Sequence, residues 1–181
     1  MKKIILTFGL ISGAICILMM ILQLVFMDRN GSHHGLLLGY ATIVLSLLLV
    51  FFGVRSYRDN VAKGQITFGK AFLVGLAITM LSCLIYVATW EVVYFKFMPD
   101  FMDKYADSMI QKVQASGKSA AEIQVKVEEL NKMKVQYKNP FYNMAVTFME
   151  PFPVGLVITL VSAGVLRKKS QSQPGQSPIA A

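Results

Sequence analysis

The sequence predicts an all-α integral membrane fold: a four-helix bundle with an extracytoplasmic helical hairpin between the third and fourth spans. Three observations carry that prediction. Of the 181 residues, 55% are hydrophobic and only 15% charged, against roughly 45–50% and about 25% in an ordinary soluble domain. Four long runs are almost free of charge. The polar residues gather mainly in one stretch, 96–140, between the third and fourth of those runs.

Ile4 to Met27 is 24 residues without a charge, and Gly35 to Val54 a further 20. Ala71 to Trp90 adds 20 more, and the third span is taken on to residue 94. Phe141 to Leu166 is 26 residues with one acid, Glu150. About 20 apolar residues in a helix cross the roughly 30 Å hydrocarbon layer, so each run suffices. No water is present there to take up backbone amides, which makes helix the required conformation. Met1-Lys2-Lys3 before an apolar run also resembles the opening of a secretory signal, but this run exceeds a signal core and lacks a small-residue cleavage site. A retained first span is expected. Cys16 and Cys83 both lie inside apolar runs, which excludes a secreted cystine scaffold.

Four spans put both termini on one side, and the basic residues choose the cytoplasm. Lys2, Lys3, Arg55, Arg58, Lys63, Lys70, Arg167, Lys168 and Lys169 then lie inside against one acid, Asp59, so the whole net charge of +8 falls on that face. Nine basic residues occupy 34 inside positions, against nine in 52 outside positions. Of these, Arg55, Arg58, Lys63, Lys70, Arg167, Lys168 and Lys169 read as a cytoplasmic anchor that meets anionic lipid headgroups. The bilayer accounts for the charge, and nucleic acid is not an expected partner.

Arg55 to Lys70 reads as a basic loop made flexible by Gly64 and Gly69, and Asp28 to His34 as a short turn. Residues 170–181, rich in Ser, Gln, Pro and Gly, predict a disordered tail. In the polar stretch, Phe101, Tyr105, Met109 and Val113 recur at helical spacing behind Pro99. Gly117 interrupts, and Ser119-Ala120-Ala121-Glu122 fits a capping box. Ile123, Val127, Leu130 and Tyr137 continue one stripe. Helices over 100–114 and 120–137 follow, their stripes facing each other or the bilayer surface.

Most candidate chemistry dissolves on inspection. Gly117-Lys118-Ser119 lacks the earlier glycine of a phosphate loop, where Lys112 stands. His33 and His34 are adjacent and have no third ligand at metal spacing, and eleven methionines are scattered as gap fillers. No nucleophile has a base and an orienting acid on its own side of the membrane, so neither an enzyme nor a cofactor is expected. Glu150 stands apart. It precedes Arg167 by 17 residues, about 25 Å of helix, just inside the outer edge of the hydrocarbon. A carboxylate there costs about 2–4 kcal/mol on insertion scales, and such acids face a bundle interior, a partner or water. Pro151 and Pro153 follow and predict a kink. Glu91 ends the third span at a similar height, beside Trp90 and Tyr94 of an interfacial aromatic belt. Two acids at one level suit either a shared proton or cation, or plain capping of a neighbouring helix.

Gly9 with Gly13, Ala71 with Gly75, and Gly155 with Thr159 are small pairs four residues apart. They predict close helix contact, within the chain or between copies.

Arg55-Ser56-Tyr57-Arg58-Asp59, Gly64-Gln65-Ile66-Thr67-Phe68-Gly69-Lys70-Ala71-Phe72 with Gly75, Pro99-Asp100-Phe101 and Glu150-Pro151-Phe152-Pro153-Val154-Gly155 together resemble a bacterial membrane family, the domain of unknown function 4199 family. The likeness runs from Lys3 to about Lys169 and implies a small inner-membrane protein with no established activity. The expected function is a non-catalytic assembly, scaffold or accessory component, alone or as a homo-oligomer or with a membrane-protein partner. The alternative is a small ion- or proton-coupled transporter or channel subunit using Glu150 with Glu91.

Overall fold

The fold is that of a computed structural model describing residues 1–30 and 34–168, with side chains described outside 23–40 and 42. His33, the anchor residue Lys169 and the tail 170–181 lie outside the described residues. Among those described, the structure is helical and without strands: α1 (Lys2–Asn30), α2 (His34–Asn60), α3 (Phe68–Val92), a π-helical turn (Val93–Phe97), α4 (Phe101–Gln114), α5 (Ala120–Tyr137), α6 (Pro140–Met149) and α7 (Pro151–Leu166). Three stretches are long and apolar enough to cross a bilayer: Lys2–Leu22, Phe68–Phe97 and Pro140–Leu166.

Several expected boundaries move. Helix α1 runs over 2–30 rather than 4–27, and α2 over 34–60 rather than 35–54, because a helix pairs its backbone equally well after its side chains turn polar. The basic loop expected over 55–70 therefore shrinks to 61–67: Arg55 and Arg58 are on α2, and Gly69 lies in the first turn of α3 rather than in a flexible segment. The third span does not stop at 94 but winds through the π turn to Phe97, and Pro99 stays outside α4, two residues before its first.

The chain divides into two compact units, Met1–Ser82 with Val154–Ala181, and Cys83–Pro153. In the first, Ile43, Leu47, Val50, Val54 and Tyr57 form one buried stripe of α2. Their spacing of three and four residues is the heptad-like period that keeps one helix face on a seam. Ala71, Val74 and Ile78 of α3 and Ala163 and Leu166 of α7 complete that core, with Ile4, Ile5 and Phe8 of α1 packed on it. An antiparallel bridge between Ile66 and Lys168 (3.2 and 2.9 Å) ties the α2–α3 connection to the end of α7.

Small and hydroxylated residues set the helix spacing here. A Cβ on Gly75 would stand 2.9 Å from Thr159 Cγ2, and one on Gly155 would collide with the Thr79 methyl. Thr79 and Thr159 share a hydrogen bond of 3.1 Å, and Thr79 Oγ1 donates to the Gly155 carbonyl at 3.5 Å. Gly9 faces Leu81, whose Cδ2 would lie 2.6 Å from an added Cβ, and Gly13 is buried. Between α1 and α2, Ser12 Oγ donates to the Ser46 carbonyl at 2.9 Å and Cys16 Sγ meets Ser46 Oγ at 2.9 Å. The same helices turn large apolar residues outward: Leu73 is 62% exposed and Val165 67%. Polar contacts inside and bulky aliphatics outside are the arrangement of helices associating in lipid.

A clash with a β-branched side chain cannot be relieved by a simple rotation. Gly155→Ala is therefore expected to destabilise the detergent-solubilised protein by about 1–3 kcal/mol. Thr79→Ser, which removes the colliding methyl and keeps the hydroxyl, is expected to recover part of that loss in a double-mutant cycle of thermal unfolding.

Candidate functional site

Every polar group singled out in the upper part of the third and fourth spans belongs to the second unit, Cys83–Pro153. At Glu150 the helical ladder breaks. Met149 ends α6 and Pro151 opens α7, with Glu150 between them at φ −72°, ψ −60°. Pro151 and Pro153 bring no amide hydrogen to the carbonyls a turn earlier. The residue before a proline is also crowded out of the α region that Glu150 occupies. Pro151 is buried and Pro153 exposed. The Glu150 side chain is exposed, and the Tyr86 hydroxyl of α3 donates to its Oε2 at 3.1 Å.

The hydroxyl that meets Glu150 and the carboxylate of Glu91 leave α3 at different points. Tyr86 and Glu91 are five residues apart on α3, about 7.5 Å along the axis and about 140° around it. Tyr86 and Glu91 therefore project from α3 at different levels and on different sides. Among the described residues no hydrogen bond links the two acids, and Glu91 Oε1 and the Tyr94 hydroxyl are buried without a hydrogen-bond partner.

What the structure gathers instead is an aromatic and amide relay. Trp90 Nε1 donates to the Tyr137 hydroxyl at 3.1 Å, and Tyr137 shares a hydrogen bond with Thr147. Thr147 Oγ1 donates to Asn143 Oδ1 at 3.1 Å. Asn143 Nδ2 closes the circuit on the Tyr137 carbonyl at 3.4 Å. Asn143 and Thr147 are fully or nearly fully buried, four residues apart on one face of α6. The rings of Trp90, Tyr94, Phe101 and Tyr137 pack edge-on or tilted around this circuit, with centroids 5.1–6.1 Å apart. Burial pushes the Tyr137 hydroxyl above the ordinary phenol range, against its bonds to Thr147 and Trp90, so it stays neutral.

Beyond this circuit α4 and α5 lie side by side in opposite directions. Lys134 meets Asp107 at 2.9 Å and Asp103 at 3.6 Å, and Lys138 meets Asp103 at 3.5 Å. Exposed pairs of this kind contribute little singly; together they hold register. The capping box forms: the Glu122 amide donates to Ser119 Oγ at 3.4 Å, and the Ser119 amide donates to Glu122 Oε2 at 3.1 Å. Asn139 caps α6 by accepting from the Phe141 amide at 2.9 Å, with Pro140 as its first residue.

The anchor residues are placed one by one. Arg55 and Arg58 pair with Asp59 at 3.6 and 2.7 Å, Lys63 adopts a positive φ of 51°, Lys70 lies in the first turn of α3, and Lys168 is held in the bridge to Ile66. Arg167 is exposed. Sequence reading missed Tyr86 as the partner of Glu150, and missed the relay. Asn143 and Thr147, polar residues spaced by four in an apolar run, were the signal for the second.

Among the described residues, three apolar helices of membrane-spanning length, bulky aliphatics outward and a polar break within one of them are features of the membrane-protein class. More particularly, the chain belongs to the family described as Protein of unknown function (DUF4199), which residues 7–168 match. No curated protein and no solved structure matches it.

Trp90 is the chain's single tryptophan. Tyr137→Phe leaves its buried Nε1 without an acceptor, at a cost of about 1–3 kcal/mol. A lower unfolding temperature and a shift of the tryptophan emission are the expected readings. The Ser119 hydroxyl and amide hold the Glu122 carboxylate below the usual range. A depressed folded value stabilises above the unfolded one and is lost as pH falls through it. The Ser119 amide proton is thus expected to lose its downfield shift on acidification through the carboxylate range, and Glu122→Gln to abolish that titration.

Proposed function

We propose that the chain is a four-span bacterial inner-membrane protein with both termini in the cytoplasm, working without catalysis as an assembly or accessory component. In this reading α1, α2, α3 and the α6–α7 pair are the spans, α4 and α5 form a helical hairpin on the outer side, and the face around Glu150 docks a membrane-embedded partner. The density of Lys and Arg beside the α2–α3 connection and after α7 supports the orientation.

The observation that carries the docking role is the exposure of Glu150 within a stretch apolar enough to cross the bilayer. A carboxylate in hydrocarbon is costly, and one hydroxyl donor leaves most of its acceptor capacity open. A partner that covers it with donors removes the cost. Phe141 and Met149 on the same helix are 81% and 61% exposed. The relay and the capped, ion-paired outer helices form a stiff support for such a face.

A photo-crosslinking residue at Met149, in cells expressing the full chain, is expected to give one discrete adduct. Glu150→Ala is expected to reduce it several-fold while the chain stays in alkali-washed membranes at normal abundance. A fluorescent protein fused after Ala181 is expected to be bright. A lone, uncrosslinked monomer in native membranes overturns the docking role, and a dark fusion overturns the orientation.

A further inference from the structure

The α2–α3 connection is built more carefully than a loop between helices requires. The Val61 and Ala62 amides both return to the Tyr57 carbonyl at 3.0 Å, and the Gly64 amide returns to that of Arg58 at 2.8 Å. Lys63 and Gly64 take positive φ of 51° and 81°, so the chain turns tightly back. The Ile66–Lys168 bridge then fixes the far side. These constraints frame a cavity of about 260 Å³ lined by Tyr57, Ala62, Gln65, Ile66, Thr67 and Lys70. That is just below the roughly 300–1,000 Å³ of pockets that enclose a whole small molecule. It suits one charged group of a larger one.

The donors around it have one sign. Tyr57 is 94% buried, being only 6% exposed, yet it lines the cavity, and its hydroxyl has no hydrogen-bond partner among the described residues. Thr67 and Lys70 bracket the first turn of α3. The amides of Phe68 and Gly69 between them lie ahead of any intrahelical acceptor. A Cβ added to Gly69 would meet nothing within 4 Å, so the approach to that turn is open. The first turn carries no acid, and the helix behind it is 25 residues long, with its positive dipole end at the cavity. Lys70 adds a full charge, and the bridge pairs the Lys168 backbone with that of the lining residue Ile66. Asp59, the acid of this region, is held by Arg55 and Arg58 and is not part of the lining.

We propose that this cavity binds a phosphate ester, its oxygens accepting from the Tyr57 hydroxyl, the Thr67 hydroxyl, the first-turn amides of α3 and the Lys70 ammonium. The source is either an anionic phospholipid headgroup or a soluble phosphate compound; the lipid source rests on the membrane reading above, the chemistry of the cavity does not.

The test uses the full chain, delipidated in a neutral detergent. One arm titrates phosphatidylglycerol, counting retained lipid by native mass spectrometry. The other follows thermal unfolding in inorganic phosphate against chloride at equal ionic strength. One retained phosphatidylglycerol per chain, weakened at least about tenfold in Lys70→Ala as expected for a lost charge-assisted contact and several-fold in Tyr57→Phe, supports the site and assigns it to lipid. Protection by inorganic phosphate that vanishes in the same two variants, without lipid retention, supports the site and assigns it to a soluble ligand. Arg55→Ala removes the same charge outside the lining and is expected to change either readout less than twofold. Equal losses in Arg55→Ala and Lys70→Ala, or no response to either probe, overturn the proposal. Lys70 is exposed, so its replacement does not threaten the fold, and a chain soluble without detergent would refute the membrane reading separately.

Discussion

A backbone amide left unpaired in hydrocarbon costs several kcal/mol, and nearly every feature of this chain follows from avoiding that cost. Helix is the answer for the long apolar stretches. Polar side chains inside them obey the same rule locally: Ser82 donates to the Ile78 carbonyl at 2.9 Å, Thr89 to Ile85 at 2.9 Å, and Ser162 to Ile158 at 2.6 Å. A hydroxyl folded back on its own helix is neutralised without needing a neighbour. The few hydroxyls that reach across, such as those of Thr79 and Ser12, then mark where helices touch.

The rule also makes departures informative. Two occur in the second unit: the π turn at Val93–Phe97 and the break at Glu150-Pro151. A π turn admits one residue more than the α-helix and re-aims the side chains after it. A proline break leaves carbonyls without donors. Trp90, Tyr137, Thr147 and Asn143 supply the polar groups of the same unit, and each link of their relay satisfies a group that would otherwise be buried bare. Among the described residues, the fully buried Glu91 Oε1 and Tyr94 hydroxyl are unpartnered, and they lie two residues before the π turn and within it.

How much of this was legible in the sequence depends on the range of the interaction. The helical character and the membrane-length stretches Lys2–Leu22, Phe68–Phe97 and Pro140–Leu166 were legible, because a 20-residue average over uncharged runs is insensitive to detail. Ser119-Ala120-Ala121-Glu122 was readable because a capping box is closed by residues three apart. Helix ends were not, because Arg55 to Asn60 are as compatible with a last turn as with a loop, and the choice is made by backbone bonds to Tyr57 and Arg58. The pairing of Glu150 with Tyr86 rather than with Glu91 spans 64 residues and depends on helix rotation, which no local pattern records. Ala71 with Gly75 and Gly155 with Thr159 were visible as small pairs, whereas the contacts of Gly75 with Thr159 and of Gly155 with Thr79 emerge only from packing.

The distribution of bulk separates packing from exposure to lipid. In water, a helix saves most free energy by hiding leucine and valine; in lipid that saving vanishes, and contact area between smooth, small-residue surfaces takes over. The helices here behave in the second way, with Ser46, Thr79 and Thr159 wholly buried while Leu45, Leu84 and Val157 point outward at 56–59% exposure. Against that background Glu150 is an exception of a particular kind. It is a charge-bearing residue on the outward side, where the aliphatics belong, rather than among the inward hydroxyls. Among the described residues Tyr86 reaches it with one bond, and a glutamine there would bond as well. One carboxylate thus interrupts a surface otherwise suited to lipid, where the free-energy cost of a charge is highest and a single hydroxyl donor offsets part of it.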